Sequence, residues 1–132
     1  MEIKPREIYS VPVSFYDKKT GEVSEKGKRP CVVSNVDRDD VYLFTLTSKP
    51  DQYPSSLYGV KVENNDTNGL HKESAILCTK DNSFQMSKEE FRYLHKLGEV
   101  SRKQLIDVMG KSTACNRKDI QLRFSVHKGM IR

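Results

Sequence analysis

The sequence predicts an α+β chain: a small, strongly bent antiparallel β-sheet or barrel with short helices appended. Three observations predict it. Short apolar runs rich in β-branched residues recur through the first half, divided by polar turns. Helical spacing takes over after a capping box at Ser87-Lys88-Glu89-Glu90. The chain then closes on strict two-residue alternation, with Ile120, Leu122, Phe124 and Val126 apolar between polar neighbours.

The first strand is expected over Ile8 to Phe15, where Ile8, Val11, Val13 and Phe15 alternate imperfectly, and Asp17 to Gly21 is a turn. Ser24 to Pro30 reads as a basic turn leading into the apolar run Cys31 to Val36. Val41 to Thr47 follows across Asp37-Arg38-Asp39-Asp40, so the two runs form a hairpin of largely buried strands. Leu57 to Val62 places Tyr58, Val60 and Val62 on one side; a turn over Glu63 to Gly69 precedes the buried run Ala75 to Cys78. Ser87 starts a helix with Phe91 and Leu94 on one face, which Gly98 would end if it ran that far. A second helix spans Ser101 to Met109, with Leu105, Val108 and Met109 inward and Gly110 closing it. The boundaries are therefore a barrel domain at 1–110 and an extension at 111–132 with a strand at 119–127.

Composition narrows the class. A chain of 132 residues is one domain, or one domain and a tail, and can bury roughly two thirds of its unfolded surface. Apolar residues make up only 36%, which suits a protein that finishes burying itself in a dimer. Of 23 Lys and Arg, 6 lie after Gly110 against one acid, Asp119, leaving 17 positives and 17 negatives in residues 1–110. The net charge of +5 therefore resides in the tail, which either holds phosphate backbones or is a solvated end. Cys31, Cys78 and Cys115 are odd in number and widely spaced, which suggests inert thiols in a reducing cytoplasm rather than disulfides or a metal site. No stretch approaches the roughly 18 apolar residues of a membrane span.

Several segments resemble the MazF/PemK family of toxin endoribonucleases from type II toxin–antitoxin systems. They are Glu7-Ile8-Tyr9, Ser24 to Pro30, Thr47-Ser48-Lys49, Tyr53-Pro54, Gly69 to Ser74 followed by Ala75-Ile76-Leu77, and Leu97 to Ser101 with the last helix. The resemblance covers roughly residues 6–109. It implies an SH3-like barrel, a homodimer, cleavage of single-stranded RNA (mRNA), and inhibition by a cognate antitoxin that wraps the toxin. It makes Arg29 and Thr47 the catalytic residues. It also implies only a turn of helix after Ser87, then a strand through the Leu97 region. The chain departs from the family after the fifth strand, where relatives carry an acidic residue and this sequence reads Leu77-Cys78-Thr79-Lys80.

The chemistry such residues suit is attack of a 2′-hydroxyl on the adjacent phosphorus, leaving a 2′,3′-cyclic phosphate and a 5′-hydroxyl. Arg29 supplies a planar fork of donors for two phosphoryl oxygens, and Thr47 a hydroxyl for a non-bridging oxygen or the 2′-hydroxyl. Lys28, Ser48, Lys49, Thr79 and Lys80 are expected around the same mouth, with Tyr16, Tyr53 or Tyr58 stacking on unpaired bases. His71, ahead of His95 and His127, is the candidate acid or base in place of the absent carboxylate. Each of these is otherwise an ordinary surface or strand residue. No metal or other cofactor is expected. Two readings compete: a CcdB-like toxin that poisons a protein target such as DNA gyrase, and a non-cleaving RNA-binding barrel.

Overall fold

The structure, a computed structural model, describes residues 2–16, 23–52 and 58–115. Among these residues, seven strands form a curled antiparallel sheet: β1 (Glu7–Tyr16), β2 (Val23–Val36), β3 (Asp40–Thr47), β4 (Gly59–Val62), β5 (Ser74–Leu77), β6 (Ser83–Ser87) and β7 (His95–Glu99). A one-turn helix α1 (Lys88–Phe91) lies between β6 and β7, and helix α2 spans residues 102–115. The strand order is β4-β5-β3-β2-β1-β7, with β6 also on β3. The curl centres on β3. Its residues 40–44 pair with β6, then Leu46 and Thr47 turn to Ile76 and Ala75 of β5.

The apolar runs at the centre are continuous because both faces of the sheet are covered. Ile8, Val32, Phe44 and Ile76 point to one side, where Leu105 and Val108 of α2 pack on them. Tyr9, Cys31, Val33 and Leu43 point to the other, under Phe91 and Leu94. Tyr9 meets Phe91 edge-on, with ring centroids 4.5 Å apart. Cys31 and Cys78 are fully buried, and burial pushes both thiols up to about 12, so they are inert packing residues.

The predicted fold class, the β2–β3 hairpin and the Ser87 start are found. The Ser87 hydroxyl accepts the Glu90 N–H, and Phe91 is buried beneath that turn. Three expectations are corrected, and one strand was unforeseen. Ser24 to Pro30 is not a turn but part of β2, which pairs with β1 as far as Tyr16↔Val23. Pro30, with no N–H to donate, is tolerated there because it stands one residue beyond the last β2–β3 pair, Cys31↔Thr45. Gly110 does not close α2; it lies in open surroundings and the helix runs on to residue 115. Met109 faces outward at 43% exposure, as does Ile106 at 64%. Finally, β6 was not anticipated at all. The strand expected at 119–127 lies outside the described residues.

Two glycines hold the turn before β5 against β7. Gly69 has φ +66, a left-handed conformation, and a Cβ there would collide with the Leu97 carbonyl. A Cβ on Gly98 would strike the Thr67 and Asn68 backbone, whose Thr67 carbonyl accepts the Glu99 N–H at 3.0 Å. Asn68, 1% exposed, fixes the same turn by accepting from Asn65 and Leu70 N–H and donating to the Glu63 carbonyl. This turn delivers the chain to Ser74.

Candidate functional site

A cavity opens where the central ladder ends. Beyond Cys31↔Thr45, β2 stays with β1 through Val11↔Arg29 and Pro12↔Lys28. At the same point β3 departs to pair with β5. Arg29 and Thr47 each lie two residues past the last shared pair, and both line a cavity of about 280 Å³. Lys28, Ser48, Lys49 and Ser74 complete its polar lining, and Pro30 and Leu46 its apolar wall.

Among the described residues the lining holds three cations and three hydroxyl groups but no carboxylate. The neighbouring acids Asp51 and Glu73 are engaged by Lys61, at 2.6 and 3.7 Å, which also raises that lysine above its ordinary range. Donors thus surround the cavity, the arrangement a phosphate requires. The Thr47 Oγ1 accepts the Lys49 N–H at 3.3 Å, so its own proton remains available. The Ser74 Oγ, on a residue 5% exposed, donates to the Lys72 carbonyl at 3.0 Å.

A family model described as PemK-like, MazF-like toxin of type II toxin–antitoxin system matches residues 4–111. The chain belongs to this PemK/MazF-like toxin family. Its fold is similar to that in the crystal structure of MazE–MazF (Form II) from Deinococcus radiodurans, with a TM-score of 0.50 at 16% identity. That likeness covers 83% of this chain and 89% of the other. None of the curated proteins matches this chain.

Within this PemK/MazF-like toxin, five of the expected residues meet in one place: Lys28, Arg29, Thr47, Ser48 and Lys49. Others do not line that cavity. Thr79 precedes the 3-10 turn Lys80–Asn82, and its Oγ1 accepts the Asn82 side-chain amide at 2.7 Å. Lys80 and His71 are exposed on turns after and before β5. His95 is exposed on β7. Tyr53 and His127, and the side chain of Tyr16, lie outside the described residues. Ser74 was missed as a site residue. It stands directly before an apolar run, where it reads as a strand boundary, and only the β3–β5 pairing brings it to Thr47. Among the described residues no cluster of three or more His, Cys, Asp and Glu could hold a metal, and no helix is long and apolar enough to cross a membrane.

Proposed function

We propose that this toxin is a metal-independent endoribonuclease that cleaves single-stranded RNA, mRNA included, by 2′-hydroxyl attack. The products carry 2′,3′-cyclic phosphate and 5′-hydroxyl ends. The observation that carries the reading is the meeting of Arg29 and Thr47 on one cation-rich cavity. The Arg29 guanidinium offers its fork to two non-bridging oxygens, where the pentacoordinate centre gains a second negative charge. Always protonated, it acts by charge rather than by proton transfer. The Thr47 hydroxyl, its oxygen already occupied by the Lys49 N–H, donates its proton to the same phosphoryl group. Lys28 and Lys49 draw the flanking backbone into the mouth. An amine and hydroxyl lining is a poor donor set for a divalent cation, which favours oxygen carboxylates. Family membership supports a cognate antitoxin that restrains the activity and a homodimer as the working form.

The test is incubation of the purified protein with end-labelled RNA in excess EDTA, beside Arg29→Ala. Cleavage by the wild type with cyclic-phosphate ends, and its loss in the variant, is expected. Binding without cleavage would reduce the protein to an RNA-binding barrel, and neither binding nor cleavage would leave a toxin directed at a protein target.

A further inference from the structure

We infer that Ser74 is the residue that recognises the ribose 2′-hydroxyl, accepting a hydrogen bond from it inside the Arg29–Thr47 cavity. The argument rests on which way each hydroxyl is already committed. A carbonyl oxygen only accepts, so the contact between Ser74 Oγ and the Lys72 carbonyl, 3.0 Å, uses the serine proton. Both lone pairs of Ser74 are left as acceptors. A backbone N–H only donates, so Thr47 Oγ1 is in the opposite state, with its proton available and an acceptor site used. The other charged groups of the lining, Lys28, Arg29 and Lys49, are donors throughout. A cavity of donors matches the phosphate or an acceptor edge of a base, and leaves a group that must donate without a partner. Ser74 adds the one fixed acceptor among these side chains.

Position selects the ribose as its partner. Ser74 lines the same cavity as Thr47, at the end of β5 that pairs with the end of β3. The 2′-hydroxyl is the donor closest to a phosphate held on the 3′ side of a ribose. Ser74 is also 5% exposed and begins a strand whose four residues are all buried, so it is held in place more firmly than a loop hydroxyl. A buried acceptor of this kind discriminates against a ligand lacking the matching donor, because it is then desolvated without a partner. The consequence is preference for ribo- over deoxyribonucleotides at the binding step.

This inference rests on the reading of the cavity as an RNA site, but its test uses ligands that are not cleaved. The four ribonucleoside 3′-monophosphates and their 2′-deoxy counterparts would be titrated into the wild type, Ser74→Ala and Ser74→Thr, followed by NMR chemical shifts. The wild type is expected to bind the ribo form about three- to tenfold more tightly, the value of one hydrogen bond. Ser74→Ala should bring the two affinities together, by removing a hydrogen bond from the ribo form and an unpartnered acceptor from the deoxy complex, and Ser74→Thr should restore the ratio. Ser74→Cys, similar in volume and a weak acceptor, carries the test if Ser74→Ala does not fold. An equal loss for ribo and deoxy ligands would overturn the assignment, as would a wild-type ratio near one. Either result is independent of whether RNA is cut, so the nuclease reading stands or falls separately.

Discussion

Two polar clusters of this toxin use similar groups to opposite ends. Between β1 and β7, Glu7 is almost fully buried. Its carboxylate takes the Lys4 N–H at 2.6 Å, the Tyr9 hydroxyl at 3.1 Å and the Lys96 ammonium at 2.7 Å. That cluster is closed on itself. At the Arg29–Thr47 cavity, cations and hydroxyls gather around open volume with no acid among the described lining residues. A cluster whose groups satisfy one another around a buried carboxylate holds the fold, whereas cations and hydroxyls that line an open cavity offer a surface for an anion from outside the chain. The contrast predicts that damage in one place should leave the other property untouched.

The largest effect is expected at the cavity. Arg29→Ala should slow RNA cleavage by about 10²–10³, the usual cost of losing one preorganised donor to a developing oxyanion, with the melting temperature unchanged. A parallel fall in stability would show that Arg29 is holding the β2 strand rather than a phosphate. Glu7→Ala is the mirror experiment. It strands the buried Tyr9 hydroxyl and the Lys4 N–H, at a cost of roughly 2–3 kcal/mol of stability. Cleavage per folded molecule should not move. Calorimetry beside initial rates for both variants separates the two clusters, and a variant that lowers both quantities would break the distinction.

Acid titration sharpens the same contrast. Burial by itself would raise Glu7, but hydrogen bonds from Lys96, Lys4 and Tyr9 outweigh it and hold the carboxyl below its ordinary range. A depressed acid contributes stability above its unfolded value of about 4.3, and loses it as pH falls through the lower folded value. The wild type should therefore lose stability below about pH 4.3, and Glu7→Gln should show a shallower acid limb. An unchanged limb in that variant would assign acid unfolding to other carboxylates. The alkaline side is less diagnostic. Lys96 is raised by its bond to Glu7, so its contribution fades as pH rises. The thiols of Cys31 and Cys78, raised to about 12 by burial, likewise lose stability from their unfolded value of about 8.5 upward.

What could be read from sequence follows the same division between local and assembled features. The hairpin of β2 and β3 was legible because Cys31 to Val36 and Val41 to Thr47 are largely apolar runs and the polar stretch Asp37 to Asp40 marks the turn between them. The N-terminal half of β2 was not, because Ser24, Glu25, Lys26 and Lys28 hide a strand whose main support is its register with β1. Strand β6 offers only Phe84 and Met86 among polar residues, too short an alternation to stand out. Gly98 looked like a helix stop, whereas its lack of a side chain makes room for the Thr67–Asn68 backbone, a tertiary fact. Arg29 and Thr47 were singled out by the family resemblance, one just ahead of an apolar run and the other closing the next, since each alone reads as an ordinary surface or strand residue. Ser74 was hidden because its neighbours announce core, and nothing local tells which way a hydroxyl donates.

The smallest expected effect concerns the cations beyond the cavity. Residues 116–132 carry Arg117, Lys118, Arg123, Lys128 and Arg132 against Asp119. Because α2 continues to residue 115, a truncation meant to test this tail should begin at 116, so that the helix packing Val108 into the core is kept. If the tail touches the RNA backbone, removing it should flatten the salt dependence of binding by about 0.7 in log–log slope for each phosphate it had neutralised. Between 50 and 200 mM salt, one such phosphate amounts to roughly a threefold difference in affinity. Lys28→Ala and Lys49→Ala should each lower the slope by a similar amount, but from within the cavity, and so should also reduce cleavage at saturating RNA if the backbone must be drawn against Arg29. Truncation should leave that saturated rate alone. A truncated protein with the full salt slope would confine phosphate binding to the cavity, and the basic tail would then be a solvated end.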